Sequence, residues 1–196
     1  MYPFFETLRA QGESVDHFAY HRRRMERTLR ANGMPEPRAD WFAQLELALR
    51  AQALASPQPL RLHVDYDGIS WQIAAGPLPT TPMRTLRLVV DNSIAYPYKS
   101  TDRSCLDRLF QQREEADDVL IVKDGYITDT SRANLLLLRQ GEWFTPQHSL
   151  LPGTTQERLV EELHLQFVPI APRELDRYEQ LWIINALRRG RITQVD

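Results

Sequence analysis

Residues 119–146 read VLIVKDGYITDTSRANLLLLRQGEWFTP, and this stretch decides the fold of the longer part of the chain. The stretch has apolar runs at 119–122, 135–138 and 143–145. The dipeptides Asp124-Gly125 and Gln140-Gly141 lie between these runs. Glycine-containing dipeptides between short apolar runs are typical of tight turns that join neighbouring strands. The stretch therefore predicts an antiparallel meander.

Helical and alternating patterns flank the meander on both sides. Helical periodicity predicts helices at 14–33, 39–54, 101–117 and 153–163. Alternation predicts strands at 60–64, 69–73, 86–90, 168–170 and 181–184. Ser14 or Asp16 is expected to cap the first helix, and Gly33 to end it. The two periods mix without a regular βαβ rhythm, which favours an α+β fold.

A proline-rich segment predicts the domain boundary. Residues 77–82 read PLPTTP, which continues neither a helix nor a central strand. We therefore expect a small N-terminal domain at 1–79, a linker at 77–82 and a C-terminal domain at 83–196.

Composition narrows the class of protein. The chain has 196 residues, a formal net charge of -2 and one cysteine. This near-neutral charge gives no reason to expect nucleic-acid binding, and no apolar stretch approaches the ~20 residues that span a bilayer. One cysteine forms no internal disulfide, and the N-terminus lacks the features of a signal peptide, so a cytoplasmic protein is expected. The histidines lack metal-ligand spacing apart from His17 and His21, and no metal site is predicted.

Residues suited to chemistry are concentrated between Tyr96 and Arg158. Lys99 follows an aromatic-proline pair, and an amine in an aromatic, partly desolvated pocket can form an imine with an aldehyde. Asp129, after a hairpin, could hold a pyridine nitrogen protonated. Taken alone, each has a simpler interpretation, as a surface lysine and a turn aspartate.

Two further segments could bind a phosphate group. Gly153-Thr154-Thr155 opens a predicted helix, where unpaired N–H groups and the helix dipole favour an anion; simple N-capping is the alternative. The basic run that ends at Arg24 could supply one inward arginine, although a solvated basic face is the simpler interpretation.

In their order along the chain, these segments resemble the class IV aminotransferases, the fold-type IV enzymes that use pyridoxal 5′-phosphate (PLP). That family includes branched-chain and D-amino-acid aminotransferases and aminodeoxychorismate lyase. The segments that carry the resemblance are His21-x-x-Arg24-Met25-x-x-Thr28, Lys99, Thr128-Asp129 to Asn134-Leu135, Phe144-Thr145-Pro146, Leu151-Pro152-Gly153-Thr154-Thr155 and Asn185-Ala186-Leu187.

The resemblance implies a small N-terminal α/β sandwich and a C-terminal barrel-like sheet with helices. It also implies a homodimer, in which PLP forms a Schiff base with Lys99. The other cofactor-binding residues that it implies are Asp129, Arg24, Asn134, Gly153, Thr154, Thr155 and Asn185. Possible substrate contacts are Tyr96, Arg103 and Phe5.

The chain departs from the family pattern at several positions. Asp129 replaces the usual glutamate, and Gln156 stands where the phosphate turn usually ends in arginine. Ser104 replaces a tyrosine of the branched-chain enzymes, whereas Arg103 resembles the lyase pattern. The chain also ends sooner after Asn185 than typical members do. Substrate specificity is therefore the property that the resemblance transfers least.

Three functions stay open at this point. The first is an aminotransferase that moves an amino group between an amino acid and a keto acid. The second is a lyase that releases pyruvate and 4-aminobenzoate from aminodeoxychorismate. The third is a PLP-binding protein without catalytic activity.

Overall fold

The computed structural model of the chain describes residues 2–196. Their contacts divide them into two compact units. The first runs to Thr80 and includes Tyr98–Asp102, and the second comprises Thr81–Pro97 and Arg103–Asp196. Lys99 therefore belongs to the first unit, although the chain on either side of its segment belongs to the second.

The first unit combines the two helices that the sequence predicts with a four-stranded antiparallel sheet, of which the sequence predicts two strands. Its elements are β1 (Phe4–Gln11), β2 (Ser14–Val15), α1 (Phe18–Ala31), α2 (Trp41–Leu54), β3 (Leu60–Tyr66) and β4 (Trp71–Pro77). The strands lie in the order β2-β1-β3-β4. The sequence pattern does not predict β1, which pairs with β3 along its length.

The start of α1 corrects the predicted cap. Ser14 lies in β2, where it pairs with Gln11, and the carboxylate of Asp16 accepts a hydrogen bond from Arg9 at 2.8 Å. The helix begins only after His17, whose backbone is left-handed, and no side chain caps it. The predicted end is confirmed, because Gly33 takes a φ of +62° that favours glycine.

The second unit contains two sheets, one of five strands and one of four. Its first elements are β5 (Thr85–Val90), α3 (Ser104–Phe110), a 3-10 helix (Gln111–Arg113), β6 (Asp118–Lys123), β7 (Tyr126–Thr130), β8 (Asn134–Arg139) and β9 (Glu142–Pro146). They are followed by α4 (Thr154–Leu163), β10 (Gln166–Val168), a 3-10 helix (Pro172–Arg177), β11 (Gln180–Ile184), β12 (Arg189–Ile192) and β13 (Gln194–Val195). The sheets have the orders β10-β9-β8-β11-β12 and β13-β5-β6-β7 and form a curled half-barrel.

The predicted turns are confirmed, but residues 119–146 form two antiparallel hairpins in separate sheets rather than one meander. Strand β6 pairs with β7, which the sequence does not predict, and β8 pairs with β9. The two turns place Asp124-Gly125 and Gln140-Gly141 at positive φ, as tight hairpins require. The helix predicted at 101–117 is too long, because α3 ends at Phe110 and the following 3-10 turn stops at Glu114, whose φ is +52°.

Strand β8 is buried on both faces and fixes the position of α4. Leu135 and Leu137 pack into the cluster that contains Leu120 and Ile183. Leu136, which points to the opposite face, packs with Leu159 of α4. This packing brings the N-terminal end of α4 towards the start of β8, which is where the polar residues of the second unit collect.

Within residues 2–196, none of the helices combines the length and the apolar character needed to cross a membrane.

Candidate cofactor site

Lys99 lies beside β1 on an aromatic platform. Its carbonyl accepts a hydrogen bond from the backbone N–H of Phe5 at 3.0 Å, and its Nζ lies 4.3 Å from the centroid of the Phe5 ring. The Phe5 ring in turn stacks on His63, with centroids 4.8 Å apart. A cation over an aromatic face is stabilised by the ring quadrupole, so Phe5 helps to hold the amine in place.

Arg24 is held by the buried carboxylate of Glu6, a residue that the sequence motifs do not include. Its Nε and Nη2 donate to the two carboxylate oxygens of Glu6 at 2.8 and 2.6 Å, and Nδ1 of His21 donates to Glu6 at 2.8 Å. His21 and Arg24 are three residues apart in α1 and so share one helix face. Glu6 could have been found from the sequence, because it alternates in phase with Phe4 and Leu8 on the inward side of β1.

This cluster is a pair of opposite charges with a neutral imidazole. Burial alone would raise the pKa of Glu6, but the charge and hydrogen bonds of Arg24 hold it well below its usual range. Burial lowers the pKa of His21 despite its bond to Glu6, so its ring is neutral at pH 7. The guanidinium plane of Arg24 is therefore fixed within the first unit.

In the second unit, Asp129 is buried and clamped by neutral donors. Nδ2 of Asn134 donates to one carboxyl oxygen at 2.9 Å, and the N–H of Leu151 donates to the other at 3.0 Å. Burial raises the pKa of Asp129 to about 7, against the effect of these hydrogen bonds. A cationic partner would stabilise the ionised form.

Asn134 also connects Asp129 to the turn before α4. Its Nδ2 donates to the carbonyl of Leu151 at 2.9 Å, and a Cβ on Gly153 would lie only 1.8 Å from its Oδ1. The turn therefore requires glycine at 153. Thr154 and Thr155 follow as the first residues of α4, where N–H groups lack partners within the helix and the dipole favours an anion.

The buried side chain of Gln156 holds this turn in place through hydrogen bonds. Its Nε2 donates to the hydroxyls of Thr145 and Ser149 at 2.8 and 2.9 Å, and its side chain is buried. Gln156, which stands where the family usually has arginine, therefore hydrogen-bonds to β9 and to the turn at Ser149.

The other predicted contacts lie near the turn between β7 and β8. Tyr96 is buried, and the guanidinium carbon of Arg103 lies 5.8 Å from its ring. Nη2 of Arg103 donates to the carbonyl of Ser131 at 2.8 Å. Nδ2 of Asn185 donates to the carbonyl of Arg132 at 3.2 Å, while its Oδ1 accepts the N–H groups that follow it in the β11–β12 turn. Asn185 therefore ties two turns together.

No group of three or more His, Cys, Asp or Glu side chains within residues 2–196 is arranged to hold a metal ion.

Comparison with known proteins decides the family. The model of the amino-transferase class IV family matches residues 3–195. The chain belongs to this family. It is therefore a PLP-dependent enzyme, and its fold is that of the fold-type IV aminotransferases.

Three similar proteins illustrate this membership. A protein of Haemophilus influenzae without an assigned function is 32% identical over 189 residues, which cover 95% of this chain and 98% of that protein. A crystal structure from Haemophilus somnus, described as a "putative 4-amino-4-deoxychorismate lyase", has a TM-score of 0.86 at 28% identity and covers 95% of this chain and 97% of that one. The PLP-bound form of a hypothetical aminotransferase from Mycobacterium tuberculosis has a TM-score of 0.86 at 17% identity and covers 99% and 81%, which shows a shared fold.

The residues present fit PLP chemically. Asp129 is a buried carboxyl that accepts hydrogen bonds from the neutral donors Asn134 and Leu151, which suits a partner for a pyridine N–H⁺. Gly153 forms a turn that a Cβ would fill, at the N-terminus of a ten-residue helix suited to a phosphate. The first unit supplies a lysine amine and an oriented arginine. Asp129 stands where the family usually has glutamate, and it keeps the carboxyl group.

Proposed function

We propose that this protein is an aminotransferase that moves an amino group between an amino acid and a keto acid, with Lys99 as its acid–base group. The observation that carries the proposal is the buried Asp129 carboxyl, which Asn134 fastens to the glycine turn of α4 in a chain of the class IV family. When bound, PLP supplies an aldehyde for substrate amines and a ring that withdraws electrons from the substrate Cα.

Lys99 has two roles in this proposal. Its Nζ holds the cofactor covalently and, once a substrate amine has replaced it, moves a proton at the substrate Cα as base and acid. The Phe5 ring beneath Nζ limits how far the amine moves, which supports a proton transfer over a short, fixed distance. Phe5 thereby acts through Lys99 rather than as a direct substrate contact.

Asp129 keeps the ring nitrogen protonated. Asn134 and the Leu151 N–H each occupy one carboxyl oxygen, so the direction of the carboxyl group is set before the cofactor arrives. Pairing with a cationic ring also relieves the raised pKa of Asp129.

The family resemblance assigns phosphate binding to Arg24 and to the turn that opens α4. Arg24 offers a guanidinium whose plane Glu6 fixes, and Gly153, Thr154 and Thr155 offer backbone N–H and hydroxyl donors at the start of α4. Asn185 is assigned to the same function by family resemblance, and its bonds to the β11–β12 turn suit a supporting position.

The chain offers a sharp test of the lysine, because Lys99 and Lys123 are its two lysines. Nζ of Lys123 donates to the carbonyl of Ile94 at 2.7 Å, so it is the matched control. Borohydride reduction of the holoenzyme, followed by peptide mass spectrometry, should place the cofactor on Lys99. Lys99→Ala should lose the visible absorbance band and turnover, and Lys123→Ala should keep both. Cofactor on Lys123 would overturn the proposal.

A lyase is the second candidate, and the Haemophilus somnus structure favours it, because its match extends over nearly the full length of both chains. Aminodeoxychorismate should then release pyruvate and 4-aminobenzoate without a keto acid. Amino transfer that requires a keto acid, with no release of 4-aminobenzoate, would leave the aminotransferase alone.

We also propose a cytoplasmic homodimer with twofold symmetry. The family resemblance supports the dimer, since closed twofold assemblies are the commonest oligomers, and the single cysteine agrees with a reducing compartment. Sedimentation of the holoenzyme should give twice the chain mass of 22.9 kDa, and a monomer at micromolar concentration would contradict the proposal.

A further inference from the structure

His21 has a second ring nitrogen that the proposed mechanism does not use. Its Nδ1 donates to Oε2 of the ionised Glu6 at 2.8 Å, and its side chain is buried. A neutral imidazole with its proton on Nδ1 carries a lone pair on Nε2, so Nε2 can accept a hydrogen bond but cannot donate one. His21 therefore gains a second donor only by taking up a proton.

Two cations of the first unit are neighbours of this histidine. Nη2 of Arg24 donates at 2.6 Å to the same Oε2 of Glu6 that accepts from His21, so one oxygen atom joins the two side chains. Lys99 lies beside β1, where its carbonyl accepts the N–H of Phe5, the residue before Glu6, and its charge acts on His21. His21 is thus next to the residues to which the proposed function assigns the cofactor phosphate and aldehyde.

The surroundings of His21 favour its neutral form. Burial lowers its pKa most, the hydrogen bond and charge of Glu6 oppose burial, and the charges of Arg24 and Lys99 lower the pKa further. Tyr66 of β3 adds no charge to this cluster at pH 7, because burial raises the pKa of its phenol. A phosphate on Arg24 would compensate that cation and bring negative charge next to the imidazole, which favours the protonated form.

We propose that His21 is a further ligand of the cofactor phosphate, which takes up a proton from solvent at Nε2 when the phosphate binds and donates from Nε2 to a phosphate oxygen. This inference rests on the proposed function, which assigns the phosphate to Arg24. A phosphate group offers several acceptor oxygens, so a donor that shares a carboxylate with Arg24 can bind a second oxygen while Arg24 binds the first. Glu6 holds both donors in place, and binding of PLP is coupled to protonation of His21.

Two ligands separate the effect of the phosphate from that of the aldehyde. PLP and pyridoxal both carry the aldehyde that forms an imine with Lys99, but pyridoxal lacks the phosphate. Each is added to protein labelled with carbon-13 at Cε1 of histidine, and the resonances of the five histidines report their protonation at pH 7.5. The His21 resonance is the one missing from His21→Asn. If that variant does not fold, replacing the other four histidines one at a time identifies the resonance by elimination.

Two matched variants test the role of Nε2 in binding. Asparagine keeps an N–H donor near the position of Nδ1, so His21→Asn can still bind Glu6 but has no counterpart of Nε2. The control is His17→Asn, since His17 is exposed and directly precedes α1, and asparagine tolerates its left-handed backbone. Titration of the cofactor absorbance band gives the Kd of PLP for each protein at pH 7 and pH 8.

PLP should protonate His21, and pyridoxal should leave it neutral. His21→Asn should bind PLP about tenfold or more weakly than the wild type at pH 7, because a charge-assisted hydrogen bond is lost. The ratio of the two Kd values should shrink towards pH 8, by up to about tenfold for one full proton, since only the wild type takes up a proton at residue 21. His17→Asn should match the wild type at both pH values.

A His21 ring that stays neutral with PLP would overturn the inference. Equal protonation by PLP and pyridoxal would do so as well, because it would assign the change to the imine on Lys99, and a ratio of Kd values that is the same at both pH values would contradict the coupling. A wild type without a cofactor band, or with the cofactor on Lys123, would instead overturn the proposed function, and this inference with it.

Discussion

Glu6 in the first unit and Asp129 in the second are both excluded from water, yet their acidities shift in opposite directions. Burial raises the pKa of each group, but Arg24 reverses the effect at Glu6. Asp129 is held by neutral N–H donors, which leave its pKa at about 7. The decisive difference is a cation within hydrogen-bonding distance, because burial and hydrogen bonds are common to both.

This difference separates a structural charge from a functional one. The ion pair of Glu6 and Arg24 is complete within the first unit, so it orients the arginine at all pH values above the acid range. A buried carboxyl with neutral donors, in contrast, is suited to a partner that brings positive charge. Each prediction below removes one part of this contrast.

Removing the cation from Glu6 should have the largest effect. Arg24→Met leaves a buried carboxylate without its partner, which should reduce the free energy of unfolding by about 3–5 kcal/mol. Glu6→Met/Arg24→Met removes both charges and should recover most of that loss. Urea unfolding of the two apo proteins measures the difference.

The double variant also serves as the control, because it lacks the same arginine. Equal stability of the single and double variants would show that the charge of Glu6 is not the source of the loss. PLP affinity should fall in both variants, since each lacks the proposed phosphate contact.

The second prediction concerns pH. Asp129 binds its proton more tightly when folded than when unfolded, so its contribution to stability is complete below pH ~4 and is lost as the pH rises through about 7. Apoenzyme should thus lose about 3 kcal/mol more than Asp129→Asn between pH 5 and pH 8. Subtracting the variant cancels the opposite contribution of His21, whose lowered pKa favours folding as the pH rises.

Chemical denaturation at the two pH values gives this difference. Saturating PLP should reduce it, because a ring N–H⁺ beside Asp129 favours the carboxylate. A wild type and variant with parallel pH profiles would contradict the raised pKa.

Local patterns predict most of the fold, and the exceptions have physical causes. Alternation and glycine turns identify the two hairpins of residues 119–146, because hairpins depend on nearby residues. That they lie in separate sheets depends on distant strands, so no local pattern predicts it. Strand β1 is missed since Glu6 interrupts its apolar face, and only Arg24, eighteen positions later, makes a buried glutamate stable there. The predicted start of α1 fails because Asp16 forms an ion pair with Arg9 instead of capping the helix.

The residues of the candidate site are predicted by family motifs more than by hydrophobic periodicity or turn signals. Lys99, Asp129 and Gly153 each have a simpler interpretation in isolation, and only their order along the chain singles them out. Contacts between distant segments of the chain cannot be predicted from the order of motifs or from local patterns. The alternation of β1 marks Glu6 as inward-facing, but no local period connects it with Arg24, its partner in α1.

The third prediction tests how the glycine turn is linked to Asp129. Gly153→Ala places a methyl group 1.8 Å from Oδ1 of Asn134, so one of the two must move. Overpacking of this kind costs about 1–3 kcal/mol, and thermal unfolding should show that loss. PLP affinity should fall as well, because the N–H groups at the start of α4 shift with the turn.

Asn134→Ala separates the steric effect from the hydrogen bonds. It opens the space at 153 but removes the donor to Asp129, so by itself it should weaken PLP binding. Gly153→Ala/Asn134→Ala should be more stable than the sum of the two single changes predicts, because the added methyl occupies the space that the amide leaves. Strict additivity would mean that the two residues do not contact each other, and the turn would then be independent of the Asp129 clamp.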